Sequence, residues 1–149
     1  MSSTFHVAVI SLDDVDVTDL CLEAAEEGHR MLERLVREWR DGVNRFDRPG
    51  ELLIGAFVRD RVVAIGGLNQ EPYEPAAGLG RLRHLYVLRA YRRQGVGTAL
   101  VRLLLSHADG SFSAVRLRTH TEQADVFYRQ VGFRPTTKST ATHEIQIGG

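Results

Sequence analysis

Arg92 to Thr98 reads Arg-Arg-Gln-Gly-Val-Gly-Thr. The two arginines bring full charge and forked donors suited to phosphate. The glycines remove Cβ atoms that would hold an anion away from the backbone. If a helix starts at Gly95, its first N–H groups lack intrahelical partners and its dipole makes that end partly positive. The chemistry this allows is anion binding, most simply a phosphate or pyrophosphate cradle. The plainer alternative is a tight strand-to-helix turn with its arginines in solvent. No Lys-Ser/Thr follows the second glycine, so this is not a Walker loop, and it lacks the further glycine of a dinucleotide fingerprint.

The elements that would position this stretch are legible on both sides. Arg81 to Leu88 is rich in Leu, Tyr and Val and predicts a strand, with Arg89 to Gln94 as a turn. After Gly95, the spacing of Val96, Ala99, Leu100, Leu103 and Leu104 predicts a half-buried helix. Upstream, Phe5 to Leu12 reads as a strand with Val7 and Val9 on one face, and the aspartates between Asp13 and Asp19 supply capping chemistry for a following helix. Gly28 interrupts that helix, and His29 to Arg40 forms a second, amphipathic one in which Trp39 is expected to pack. Leu52 to Val58 and Val62 to Leu68 predict a hairpin, its second strand weakened at Gly66-Gly67, where another backbone could approach. Gln70 to Gly80 is a loop; Ala114 to Thr119 a strand; Glu122 to Val131 a helix ended by Gly132. Phe133 to Lys138 and Ala141 to Ile147 read as closing strands. The order predicts an α/β (α+β) fold: a single mixed, mostly antiparallel sheet of about six to seven strands with helices on both faces.

The chain has 149 residues and suits one domain spanning 1–149, with a real core. Acidic and basic residues balance, which gives no general reason to expect nucleic acid or an anionic membrane as partner. The arginines nevertheless cluster between Arg81 and Arg102, which suits a local anion site. The single cysteine, Cys21, excludes an intrachain disulfide and a cysteine metal cluster, and no metal is expected. There is no apolar run of membrane-spanning length and no secretory signal pattern, so cytoplasm is the expected compartment. Exposed strand edges would admit a homodimer.

Arg92-x-x-Gly95-x-Gly97 after a strand ending in Val resembles the coenzyme A loop of the GNAT superfamily of N-acetyltransferases. A second block, Thr119, Thr121, Ala124 and then Phe127-Tyr128 with Gly132-Phe133, is similar to another motif of that family, in the right order and at about the right distance. The resemblance is specific from about Leu52 to Phe133. It implies acetyl-CoA as cofactor, with the backbone of Gln94, Gly95, Val96, Gly97 and Thr98 on its pyrophosphate and Arg92 and Arg93 nearby. It implies a pantetheine arm along Leu85, Tyr86, Val87 and Leu88, with contacts from Thr121 and Phe127, and the Val87 N–H facing the thioester oxygen. Tyr128 matches the family's general acid, which would protonate the leaving thiolate. Two departures stand out: Arg89 where the family often has Pro, and Thr121 where it often has Asn.

The general base is left open. His84 lies on the strand, but simple alternation puts it with Leu82, Tyr86 and Leu88, and Arg81 and Arg83 with Leu85. His120 is better placed; Glu71, Glu74 and a water chain are the other options. Glu71, Tyr73, Arg81 and Arg83 are candidate acceptor-side residues, and an arginine there would suit an acceptor with a carboxylate or phosphate. The expected reaction is acetyl transfer to a primary amine on a small molecule or peptide. A protein or aminoacyl-tRNA acceptor, and a non-catalytic acyl-CoA sensor, are the alternatives.

Overall fold

The computed structural model describes residues 4–74 and 76–148. Its elements follow the expected order: β1 (His6–Val9), α1 (Thr18–Glu26), α2 (Met31–Arg40), β2 (Leu52–Val58), β3 (Arg61–Gln70), β4 (Leu79–Val87), α3 (Val96–Ala108), β5 (Ala114–Leu117), α4 (Glu122–Gln130), β6 (Arg134–Pro135) and β7 (His143–Gln146). A 3-10 turn, Arg89–Tyr91, lies between β4 and α3. The strands form one sheet in the order β1-β2-β3-β4-β5-β7-β6. Only the β4–β5 pair is parallel.

Two adjacent glycines of β3 show how the sheet is covered. A methyl on Gly66 would meet Leu85 and Leu104 of α3, whereas one on Gly67 would meet Phe46, in the segment after α2. Neighbouring residues of a strand point to opposite faces, so α3 packs on one face and the α2 side on the other. The glycines admit side chains here, not the second backbone that the sequence allows for. The inward face of α3 is Val96, Leu100, Val101, Leu104 and Ala108. Leu103, expected inside, is exposed, because the buried stripe is centred one position further round the helix. Trp39 is buried as expected, and its indole N–H donates to Asp13.

β4 departs from simple alternation. Its register with β3 shifts so that Arg83 faces Gly67 and Tyr86 faces Ile65, leaving His84 and Leu85 opposite Gly66 alone. This is a β-bulge, and His84 takes φ +63 to form it. The expected face assignment therefore fails at this point. His84 packs edge-on against Phe46, and Arg83 reaches Asn69, while Leu85 lies over Gly66 on the α3 side. The extra residue places Arg83 and His84 on one face.

Gly67→Ala should destabilise the protein by about 1–3 kcal/mol, because the new methyl would lie 2.5 Å from the buried Phe46 ring. Thermal melting should fall by about 2–4 °C per kcal/mol. Gly66→Ala, which meets only the terminal methyls of Leu85 and Leu104, should cost less in the same assay.

Candidate active site

β4 and β5 pair over only three residues, Leu79–Arg81 against Ala114–Arg116. Beyond Arg81, the β5-facing edge of β4 is open. Leu88 N–H bonds the Val63 carbonyl, so its neighbour Val87, opposite Ala64, is a residue whose own N–H and C=O turn away from β3. They face the opening. The Val87 carbonyl there accepts a hydrogen bond from Arg92 Nε at 2.9 Å.

The chain then passes the 3-10 turn, with Arg93 at φ +62 and Gly95 at φ +83, and enters α3. Gly95 is the N-cap and supplies no side-chain cap. The N–H groups of Val96, Gly97 and Thr98 are thus the helix's own first donors, without intrahelical acceptors. Nothing lies within 4 Å of where a Gly95 Cβ would stand, so the approach to these groups is open. A methyl on Gly97 would lie 3.5 Å from the Phe127 ring and 3.7 Å from the Val87 side chain. The end of β4, the first turn of α3 and the Phe127-Tyr128 stretch of α4 therefore meet at Gly97.

α4 is fixed by its own chemistry. Thr121, in extended conformation, accepts a hydrogen bond from Ala124 N–H through its hydroxyl and caps the helix. Tyr128 is 7% exposed and packs against Phe127, Phe133 and His143. Burial pushes its phenol well above the ordinary range, so it holds its proton at neutral pH. Its hydroxyl has no hydrogen-bond partner among the described residues. His143 is held at both nitrogens, by Thr142 and by Asp125 of α4. It supports the Tyr128 ring from β7 and carries no motif that the sequence reveals.

The other expected site residues are distributed unevenly. Tyr86 turns its side chain to α1, where its hydroxyl lies 2.6 Å from Glu27 Oε1 and 2.8 Å from Glu23 Oε1 and donates to this pair. Arg92 also binds Glu27, at 2.7 Å, and Glu23 accepts the Arg89 N–H. Arg92 is thus a latch between α1 and the turn, while Arg93 is exposed, with no carboxylate within 4.0 Å among the described residues. The signal for this latch is the i, i+4 pair of glutamates, Glu23 on α1 and Glu27 capping its end.

On the α2 side of β4, Arg81 is buried and pairs with the buried Glu71 at 3.0 Å, while donating also to the Thr140 carbonyl. Tyr73 stacks over it, 4.7 Å from guanidinium carbon to ring centroid. Arg83 lies beside the same ring and donates to Asn69 Oδ1 at 3.2 Å. Glu74 binds Arg116 at 2.7 Å and is held below the usual carboxylate range by it. Both loop glutamates are therefore engaged by arginine. His84 is 6% exposed, and neither ring nitrogen has a hydrogen-bond partner among the described residues. Burial first, then the charges of Arg83 and Arg34, push it down to about 3, so it is neutral at working pH. His120 is exposed in the loop before α4. A concavity of about 1200 Å³ opens elsewhere, at the β2–β3 hairpin beside Asp16, Asp19 and Arg61, and contains none of the α3 turn.

Residues 49–135 match the family model of the acetyltransferase (GNAT) domain. An Exiguobacterium sp. 255-15 protein assigned as an acetyltransferase is 30% identical, with TM-score 0.85 over 96% of this chain and 93% of that one. The PaiA N-acetyltransferase of Thermoplasma acidophilum, solved with coenzyme A, shares the fold at 16% identity and TM-score 0.65, covering 96% of this chain and 99% of its own. Glucosamine-6-phosphate N-acetyltransferase of Arabidopsis thaliana does so at 14% identity and TM-score 0.62, covering 93% of this chain and 97% of its own. No curated protein matches the sequence.

The latch on α1 has a pH signature. Arg92 first, with Tyr86 and Arg89 adding to it, holds the Glu27 carboxyl down to about 2 against an ordinary 4.5. A depressed carboxyl stabilises the fold above its unfolded value and loses that contribution as pH falls through the folded one. The melting-temperature gap between wild type and Glu27→Gln should be widest above pH 4.5 and close as pH falls to about 2. A gap constant across that range would exclude the ion pair as its source.

Proposed function

The chain belongs to the GNAT acetyltransferase family, and from that premise we propose that it transfers the acetyl group of acetyl-CoA directly to a primary amine on a small molecule or peptide, in the cytoplasm. The observation that carries this reading is the convergence at Gly97 of an open helix N-terminus, the outward-turned Val87 and the Phe127-Tyr128 stretch. The open first turn of α3 fits a pyrophosphate, with Gln94 to Thr98 holding it by backbone and Arg93 adding charge. The edge of β4 from Leu85 to Leu88 offers an unpaired strand to the amide groups of the pantetheine arm.

When bound, acetyl-CoA supplies an activated thioester, whose C–S bond breaks as the C–N bond to the acceptor forms. The Val87 N–H, turned away from β3, would stabilise the charge that develops on a thioester oxygen bound along this edge. Tyr128 gives its proton to the departing thiolate, a role that its buried, protonated phenol supports. The proton released by the amine leaves through His120 or water and restores the Tyr128 hydroxyl. Cys21 supports direct attack over a covalent relay: burial, with Glu33 and Asp16 adding to it, pushes its thiol up and away from the reactive thiolate.

Tyr128→Phe should lower kcat by about 10²–10⁴ while leaving the Kd for coenzyme A within about twofold. A protein that only binds acyl-CoA would show no change in either. Gly95→Glu should weaken acetyl-CoA at least about tenfold more than Gly95→Ala, which carries the same backbone strain without the charge. Calorimetry showing equal affinities would remove the phosphate cradle. Saturating acetyl-CoA at a hundredfold its Kd should stabilise the wild type by about 2.7 kcal/mol in thermal melting.

A further inference from the structure

The arginines on the α2 side of β4 differ in what neutralises them. Arg81 is matched by Glu71 at 3.0 Å, and Arg34 of α2 by Glu38 at 3.0 Å. Arg83 has no carboxylate within 4.0 Å among the described residues. Its partners are the neutral Asn69 oxygen and the Tyr73 ring. Arg48 is matched by the buried Glu51 at 3.4 Å in the network behind Asn69, so four guanidiniums and three carboxylates leave one positive charge, and of these four arginines Arg83 is the one without an ion pair. Burial works against that charge, and Arg34 and Arg81 add to the effect, while Tyr73 and Glu38 offset part of it. His84 beside it is neutral and supplies no counter-charge.

The placement of Arg83 is fixed. Asn69 is clamped by Asn44 and Glu51 through hydrogen bonds of 2.9–3.0 Å, so the acceptor oxygen that holds Arg83 cannot drift. Glu51 is itself tied to the backbone N–H groups of Arg48 and Gln70. The buried Asn44, Glu51 and Asn69 side chains thus orient one uncompensated guanidinium, on the strand that ends in the outward-turned Val87. The arrangement leaves the remaining guanidinium donors for a ligand.

We propose that Arg83 is the anion anchor of the acceptor pocket, and that the amine acetylated by this protein carries a carboxylate. A carboxylate matches the single net charge and the bidentate fork of one guanidinium. A phosphate dianion would exceed that charge by one. The Tyr73 ring, 6.0 Å from the Arg83 guanidinium carbon and 47% exposed, forms a wall beside the anchor. Arg81 is the structural member of the pair, committed to Glu71 and Thr140. This inference rests on the acetyltransferase reading of the same site.

The test is a calorimetric titration with matched probes that differ only in charge: N-acetyl-6-aminohexanoate and its primary amide, with inorganic phosphate as a third arm. It is run on the wild type, Arg83→Gln and Arg83→Lys, with coenzyme A and without. The carboxylate should bind the wild type about ten- to a hundredfold more tightly than the amide, Arg83→Gln should abolish that preference, and Arg83→Lys should retain part of it. Coenzyme A affinity should stay the same in all three proteins, which also reports that the variants are folded. Equal binding of carboxylate and amide, a preference that survives Arg83→Gln, or phosphate outcompeting the carboxylate would each overturn the proposal. Failure of coenzyme A to bind the wild type would instead overturn the acetyltransferase reading, and the titration without coenzyme A would still decide the anion anchor.

Discussion

β4 is asked to belong to two sheets' worth of geometry at once, and the bulge at His84 is what allows it. On one side, the strand stays bonded to β3 along its length; on the other, it leaves β5 after three residues. A regular strand would carry the β5 register onward. One additional residue opposite Gly66 raises the local twist and turns the end of β4 aside. The cost is visible in the same residue: a non-glycine side chain at φ +63, with two buried ring nitrogens lacking partners among the described residues. Each of those features costs about 1–3 kcal/mol. The fold tolerates them at the place where an open strand edge is needed.

The opened edge would be useless without a fixed helix behind it. Phe127 and Val87 both stand at ordinary contact distance from Gly97, so α3, α4 and β4 meet around one small residue. The α1 glutamates then hold the turn from outside, through Arg89, Arg92 and Tyr86. These surface ion pairs contribute little singly. As a network sharing one tyrosine hydroxyl and one backbone N–H, they fix the direction in which the turn enters α3.

The sequence disclosed most of this frame because local rules governed it. The hairpin, the glycine stops at Gly28 and Gly132 and the order of elements rest on turn chemistry and periodicity, and they stand as expected. The helix opened by Gly95 was legible for the same reason. What alternation could not disclose was the bulge, because a positive φ at His84 depends on pairing with a strand fifteen or more residues away. The error then propagated: every face assignment on β4 that crossed His84 was reversed. Leu103 and Val101 exchanged places for a related reason, since tertiary packing chose which side of a largely apolar helix to bury.

Charge is where sequence reading stops soonest. Arg81, Arg83, Arg92 and Arg93 are chemically identical in a string of letters, and all four could face an anion. Their roles separate only through partners brought from far along the chain: Glu71 for Arg81, Glu27 for Arg92, and no carboxylate among the described residues for Arg83 or Arg93. A neutral protein can therefore present two local positive sites. One lies at the first turn of α3, where helix donors and Arg93 coincide; the other lies across β4, where the Asn69 amide, clamped by Asn44 and Glu51, holds Arg83. The edge of β4 that presents Val87 lies between them, so a phosphate-bearing donor and a carboxylate-bearing acceptor would approach the same carbonyl from opposite faces of the sheet.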